Sequence, residues 1–267
     1  MSRLIIEAVE RVLQEDSLAA LVTIIRAPSG MGAKILITEA RERTGTLNDA
    51  ALDEAVARYA PAFLASRAET KTVSAQELSV EITEDRNALL MFERVESEPR
   101  LVICGAGHVG AHLARLARML HYRTTLIDDR ADFVTRERFP DEGIELIIAR
   151  TWTEAVEREV GRNVYVAVVT RGHNEDEECM RAVLKARPRY AGMIGSKRRT
   201  NIVLERLREQ GASEELLREV RAPIGLDIGA VSPEEVALAI LAEVVAERRG
   251  ASGAPLSRWR REKQERK

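Results

Sequence analysis

Residues 101–110 read LVICGAGHVG, an apolar run followed by glycines at 105, 107 and 110 and then by the start of an amphipathic stretch. No other segment constrains the fold as strongly, because the chain must pass from extended strand to helix within a few residues. In such a turn Gly105 permits the tight bend, Gly107 lets the backbone approach a pyrophosphate, and Gly110 lets the helix pack on its strand. Ala106, His108 and Val109 fill the positions between. A helix beginning near Val109 would present unpaired N–H groups and the positive end of its dipole to an anion, with His108 either facing the same place as a donor or serving as a spacer. Residues 123–127 (RTTLI) form a second apolar strand ending in Asp128 and Asp129, where a ribose-binding acid is expected. The pattern predicts a phosphate or dinucleotide site. A glycine turn that merely packs a helix on a sheet would account for the spacing but not for the terminal acids.

Around this motif the sequence predicts alternating elements: strands at 145–149, 163–169 and 190–194, helices at 153–160, 174–186 and 196–209. That alternation is a Rossmann-like, doubly wound parallel sheet of the α/β class. A last helix starts at Ser232, a natural N-cap, with Pro233 at its first position and Glu235 completing a capping box, and runs to about residue 249. The first hundred residues differ. Helices at 4–13 and 49–64, strands at 20–25 and 34–38 joined by the turn 27–32, and a strand pair at 78–83 and 88–95 turning at 84–87 predict a smaller α+β domain. The domains are therefore read as 1–98 and 99–250, divided at a polar, proline-containing stretch, with 251–267 a disordered basic tail.

In an open parallel sheet the ligand lies beyond the carboxyl ends of the strands, so the residues following each strand carry the chemistry. After 163–169 come Thr170, Arg171, Gly172, His173, Asn174, Glu175 and Asp176, a cation, an imidazole and acids at one strand end. Helix capping and dipole complementation account for the acids but leave Arg171 and His173 over. After 190–194 come Gly195, Ser196, Lys197, Arg198 and Arg199. Cations at a helix N-terminus oppose the dipole, so a ligand anion is expected there; the alternative is a salt-bridged surface turn. The glycine-punctuated loop 223–230 bears Asp227 and precedes the last helix, where it could line the same crevice.

Composition narrows the class. With 45% hydrophobic residues and a formal charge of −2, this is an ordinary globular chain with no nucleic-acid bias. Acids interrupt the apolar residues of the first ten positions, which therefore suit neither a signal peptide nor a membrane span, and a cytoplasmic location is expected. Cys104 and Cys179 are the only cysteines and form no CxxC pair, which argues against a disulfide framework or structural zinc site. His173 and Glu177 have the spacing of a helical metal pair, yet nothing else joins them, and no metal site is assigned. No G-x-S-x-G elbow, Walker lysine motif or H-E-x-x-H occurs, so neither hydrolase, P-loop nor zincin chemistry has support.

The motifs GAGHV at 105–109, DDR at 128–130, TRGH at 170–173, GMIGS at 192–196 and PIGLDIGA at 223–230, with PEE at 233–235, together resemble the XdhC/CoxI family over residues 101–249. The resemblance implies an accessory protein of xanthine dehydrogenase type molybdenum hydroxylases, a carrier rather than an enzyme, with no catalytic residue. It would bind molybdenum cofactor, as molybdopterin or its dinucleotide, and assist maturation or insertion. The implied partners are the apoenzyme and a cysteine desulfurase, with a homodimer as the assembly. Gly105, Gly107, Gly110 and His108 would hold phosphate, Asp128 a ribose or pterin edge, and Gly195, Ser196, Lys197 and Arg198 a second anionic group. The N-terminal domain is divergent: its turn reads APSGM at 27–31, and residues 45–54 lack the cysteine of the family's glycine-rich loop. The fingerprint alone also admits an NAD(P)-dependent oxidoreductase, with Asp128 favouring NAD and His173 as proton donor.

Overall fold

The computed structural model describes residues 3–15, 17–78, 88–161 and 163–257. Two compact units divide the chain, the first ending at Ser97 and the second beginning at Glu98.

In the first unit, strands β1 (Leu18–Arg26), β2 (Lys34–Thr38), β3 (Arg43–Thr46), β4 (Thr70–Ser74) and β5 (Leu89–Glu96) form an antiparallel sheet in the order β3-β2-β1-β5-β4. Side chains alternate across β1 as the period of a strand requires. Ala19 and Leu21 pack with Ile5, Ala8 and Val12 of helix α1 (Arg3–Gln14), whereas Ala20, Val22 and Ile24 join the core with Val56, Ala60 and Phe63 of helix α2 (Ala50–Ala65). The expected strand pair is corrected here. Leu78 ends a short helix α3 (Ala75–Leu78), residues 79–87 lie outside the described residues, and the partners of β5 are β1 and β4. Strands β3 (RTGT) and β4 (TKTVS) carry no sequence signal of a strand because they are polar edge strands, β4 burying only Val73.

The second unit is a parallel sheet of β6 (Arg100–Cys104), β7 (Arg123–Asp128), β8 (Ile144–Ile148), β9 (Val164–Val168) and β10 (Tyr190–Met193), ordered β10-β9-β6-β7-β8. Its central strands are buried on both faces. Leu101, Ile103 and Leu126 pack with Leu113, Ala117, Ile240 and Val244, from helices α4 (His108–Met119) and α9 (Pro233–Arg249). Val102, Cys104 and Ile127 face the opposite layer, with Val156, Cys179, Met180 and Val203 from α5 (Trp152–Glu159), α6 (His173–Ala186) and α7 (Lys197–Glu209). A short helix, α8 (Glu214–Glu219), adds to the expected elements. Helix α9 begins with the Ser232–Glu235 capping box and Pro233 at its N-terminus. Residues 258–267 of the basic tail lie outside the described residues. Among the described residues no helix is long and apolar enough to cross a membrane.

The chain runs outward from β6 through β7 to β8, then returns to the other side of β6 as β9 and continues to β10. The order reverses between β6 and β9, which makes the carboxyl ends of those two strands the place where a crevice opens in such sheets.

Candidate functional site

At the end of β6 the three glycines meet three different surroundings. Gly105 has φ +117°, and a Cβ there would lie 2.5 Å from the Val169 carbonyl oxygen. A Cβ on Gly110 would lie 1.8 Å from the Gly105 carbonyl, so only glycine lets α4 sit this close to its own strand. Gly107 is unlike both. Its φ of −65° and ψ of −168° suit any residue, and a Cβ there would meet nothing within 4 Å. Gly107 is the N-cap of α4 and supplies no side-chain cap, which leaves the first-turn N–H groups of His108, Val109 and Gly110 without intrahelical acceptors. Gly172, the N-cap of α6, likewise provides none. Two uncapped helix N-termini thus stand at the ends of the adjacent strands β6 and β9.

Acids from β7 organise this loop. Asp128 is 1% exposed and accepts from the Ala106 N–H (2.7 Å), the Arg130 N–H (3.0 Å), and Arg130 Nε (2.8 Å) and Nη2 (2.9 Å). Four donors fill the lone-pair directions of a carboxylate. Asp128, expected to meet a ligand hydroxyl, is therefore committed to the protein's own groups, where it ties the glycine loop to β7. Asp129 is exposed and holds Arg171 through a two-pronged pair of 2.6 and 2.8 Å. The Arg171 guanidinium keeps the Asp129 carboxyl below the usual carboxylate range. Since Asp129 follows β7 and Arg171 follows β9, this ion pair links the two strands that flank β6.

A second network joins β9 to α7. Thr170 Oγ1 donates to the fully buried Asp176 carboxylate, which also accepts from Arg199 Nε (3.0 Å) and Nη2. Ser196 caps α7 by accepting from the Arg199 N–H at 3.2 Å. Burial pushes the Asp176 carboxyl above its ordinary value, the bonds from Thr170 and Arg199 opposing it. The anion that offsets Arg199 at this helix start is thus an internal carboxylate, in line with the salt-bridged alternative. From sequence Asp176 reads as a dipole complement, because nothing in the local pattern announces a partner 23 residues away. Ser196, Lys197, Arg198, His108, His173 and Asp227 are exposed. The loop carrying Asp227 is pinned to α9, where Glu243 accepts from the Gly225 N–H (2.7 Å) and the Tyr190 hydroxyl (2.6 Å). Among the described residues no group of His, Cys, Asp and Glu is arranged to hold a metal ion.

Asp176 makes stability depend on pH. A carboxyl whose pKa is raised by folding contributes stability that is complete below the unfolded value, about 3.9, and is lost as pH rises through the folded one. Replacing Arg199 with methionine removes the charge that offsets this loss. We expect Arg199→Met to cost about 2 kcal/mol near neutral pH and progressively less as pH is lowered toward the unfolded value. Urea melts of both proteins at several pH values would check this; a pH-independent gap would mean that the pair does not set the Asp176 charge.

With this geometry in place, comparison with known proteins is decisive for family. A family profile described as the XdhC Rossmann domain matches residues 101–244, more than half of the chain. The chain belongs to the XdhC family. A second profile, described as the XdhC and CoxI family, matches residues 12–74 of the first unit. Relatives include the uncharacterized protein YqeB of Escherichia coli K12, 32% identical over 58% of this chain and 28% of that protein. A Bacillus subtilis 168 protein named as a probable xanthine dehydrogenase subunit is 27% identical over 62% of this chain and 48% of its own length. The molybdenum cofactor insertion chaperone PaoD of Escherichia coli K12 is 31% identical over 34% of this chain and 28% of PaoD. These matches span less than half of each curated relative. A crystal structure described as a xanthine dehydrogenase from Bacillus halodurans has the same fold at TM-score 0.52, with 18% identity over 95% of this chain and 98% of that one.

Proposed function

We propose that this XdhC-family chain is an accessory protein that binds molybdenum cofactor, molybdopterin or its dinucleotide, and delivers it to a xanthine dehydrogenase type apoenzyme. The observation that carries the reading is the cradle at Gly107: a position free to bear a side chain, bearing none, directly before the uncapped N-terminus of α4. A phosphate group fits such a place because converging N–H donors and the helix dipole both favour negative charge. The relative named as a molybdenum cofactor insertion chaperone supports the choice of ligand, and the relative named for xanthine dehydrogenase supports the choice of enzyme served.

In this reading Gly105, Ala106, Gly107, His108, Val109 and Gly110 hold phosphate, and Asp129 accepts from a ribose or pterin edge in place of the committed Asp128. Arg171 and Thr170 border the same crevice, with His173, Ser196, Lys197, Arg198, Gly195 and Asp227 around its rim. The bound cofactor supplies molybdenum redox chemistry to the enzyme served, and this chain supplies binding and orientation. A cysteine desulfurase and a second copy of the chain are its further expected partners, and the cytoplasm its expected location.

The NAD(P)-dependent oxidoreductase reading draws on the same strand order and glycine loop. It places its ribose on Asp129 as the carrier reading does, since Asp128 is committed to Ala106 and Arg130. The two readings separate by what co-purifies. Protein made in cells competent for molybdopterin synthesis should release a fluorescent pterin after denaturation and oxidation. Nicotinamide nucleotide without pterin would replace the carrier by the oxidoreductase.

A further inference from the structure

On the β7 side of the glycine loop lies a cationic cluster that neither the motif nor the family assignment accounts for. Phe133, in the short 3-10 turn after β7 (Ala131–Phe133), carries the Arg130 guanidinium 3.5 Å and the Arg138 guanidinium 4.6 Å from its ring centre. Their charges are handled differently. Arg130 is paired with Asp128, whereas among the described residues Arg138 donates only to neutral carbonyls, that of Phe133 at 2.8 Å and that of Ala106 at 3.3 Å. Carbonyls fix the guanidinium in place without cancelling its charge, and ring and carbonyl contacts together restrict its rotamers. Of five guanidinium N–H groups, two are accounted for by these bonds. Arg115 of α4 adds a second cation, donating to the Arg138 carbonyl at 3.2 Å and lying 5.6 Å from the centre of the Phe139 ring. Among the described residues neither Arg115 nor Arg138 forms an ion pair with a carboxylate.

The other cations near the crevice contrast with this pair. Arg171 is matched by Asp129 and Arg199 by Asp176, while Lys197 and Arg198 are exposed and long. Fixed, uncompensated positive charge therefore touches the glycine loop at Ala106, one residue before Gly107. A single phosphate at Gly107 would leave that charge without a counter-ion among the described residues.

We propose that Arg138, supported by Phe133 and Arg115, is a specificity-determining residue that reads the second phosphate of a pyrophosphate-linked ligand, so that the dinucleotide form of the cofactor is preferred to the one-phosphate form. This rests on the reading of the glycine loop as a phosphate cradle. The second anionic group is thereby assigned to the β7 side of the loop rather than to Lys197 and Arg198.

The test is calorimetric titration of the full chain with inorganic pyrophosphate and with inorganic phosphate at low ionic strength, where charge contacts are least screened. Wild type should bind pyrophosphate more tightly by about tenfold or more, the gain expected of a charge-assisted, forked contact. Arg138→Gln should remove most of that preference and leave phosphate affinity within about twofold, the unchanged phosphate affinity reporting an intact loop. Arg138→Lys, which keeps the charge and loses the fork, should fall between. Equal weakening of both anions, or an unchanged preference in both variants, overturns the assignment. If wild type binds neither anion, both the assignment and the phosphate cradle fall. If pterin co-purifies while the preference ignores Arg138, the carrier function stands and only this inference fails.

Discussion

Gly107→Val should abolish cofactor binding while leaving the protein folded and within about 1 kcal/mol of its original stability. The two halves of that result come from different facts. The backbone at Gly107 is extended and the new Cβ has nothing within 4 Å to strike, so the cost to folding should stay near the roughly 1 kcal/mol by which an N-cap prefers glycine to a branched apolar residue. The same Cβ enters the space in front of the first-turn N–H groups of α4, and a phosphate kept out of hydrogen-bonding distance loses several charge-assisted bonds at once. A loss of at least about a hundredfold is expected, from two such bonds at roughly 1.5 kcal/mol each. Thermal melts and pterin content, measured on the same preparations, check both halves. Gly110→Ala is the control with the opposite signature, because its Cβ would lie 1.8 Å from a backbone carbonyl that cannot move aside. Pterin retained at wild-type level in Gly107→Val would remove the cradle from the site.

The division between what residues announce and what they conceal follows the range of the interactions. The glycine turn, the strand alternation and the Ser232 cap are local, set by neighbours within a few positions, and each has a sequence pattern of its own. Asp176 and Arg199, Asp129 and Arg171, and Arg138 against Ala106 lie 23, 42 and 32 residues apart, and only the fold makes them partners. Even so, the strand ends are legible as the place where such partners meet, since these pairs join loops or first helical turns that follow strands of the parallel sheet. What could not be read there was sign and supply: whether an acid or a cation at a strand end is offered to a ligand or already matched. Asp128 and Asp129 are adjacent and chemically identical, yet the first is buried and closed by four donors while the second is exposed and held by Arg171. The antiparallel unit was harder to read for another reason. Its edge strands β3 and β4 bury too little apolar surface to leave a period-two trace.

Asp128 and Asp129 should accordingly respond to the same change in opposite ways. Asp128→Ala removes a buried acceptor shared by the Ala106 N–H and three donors of Arg130. Arg130 is about one-third exposed and can recover hydration, but the Ala106 N–H is buried against the sheet and cannot. An orphaned donor together with a guanidinium left without its counter-charge costs about 3 kcal/mol or more, or roughly 6–12 °C in melting temperature for a chain of this size. Ligand binding should fall as well, because Ala106 is the point at which β7 holds the glycine loop in place. Asp129→Asn touches only a partly exposed ion pair, and its cost should stay below about 1 kcal/mol. The contrast lies in the coupling: Asp128→Ala lowers melting temperature and pterin content together, whereas Asp129→Asn lowers pterin content alone. A stable Asp128→Ala protein that still carried its ligand would mean that the carboxylate is no tether, and the glycine loop would then owe its shape to Gly105 and Gly110 alone.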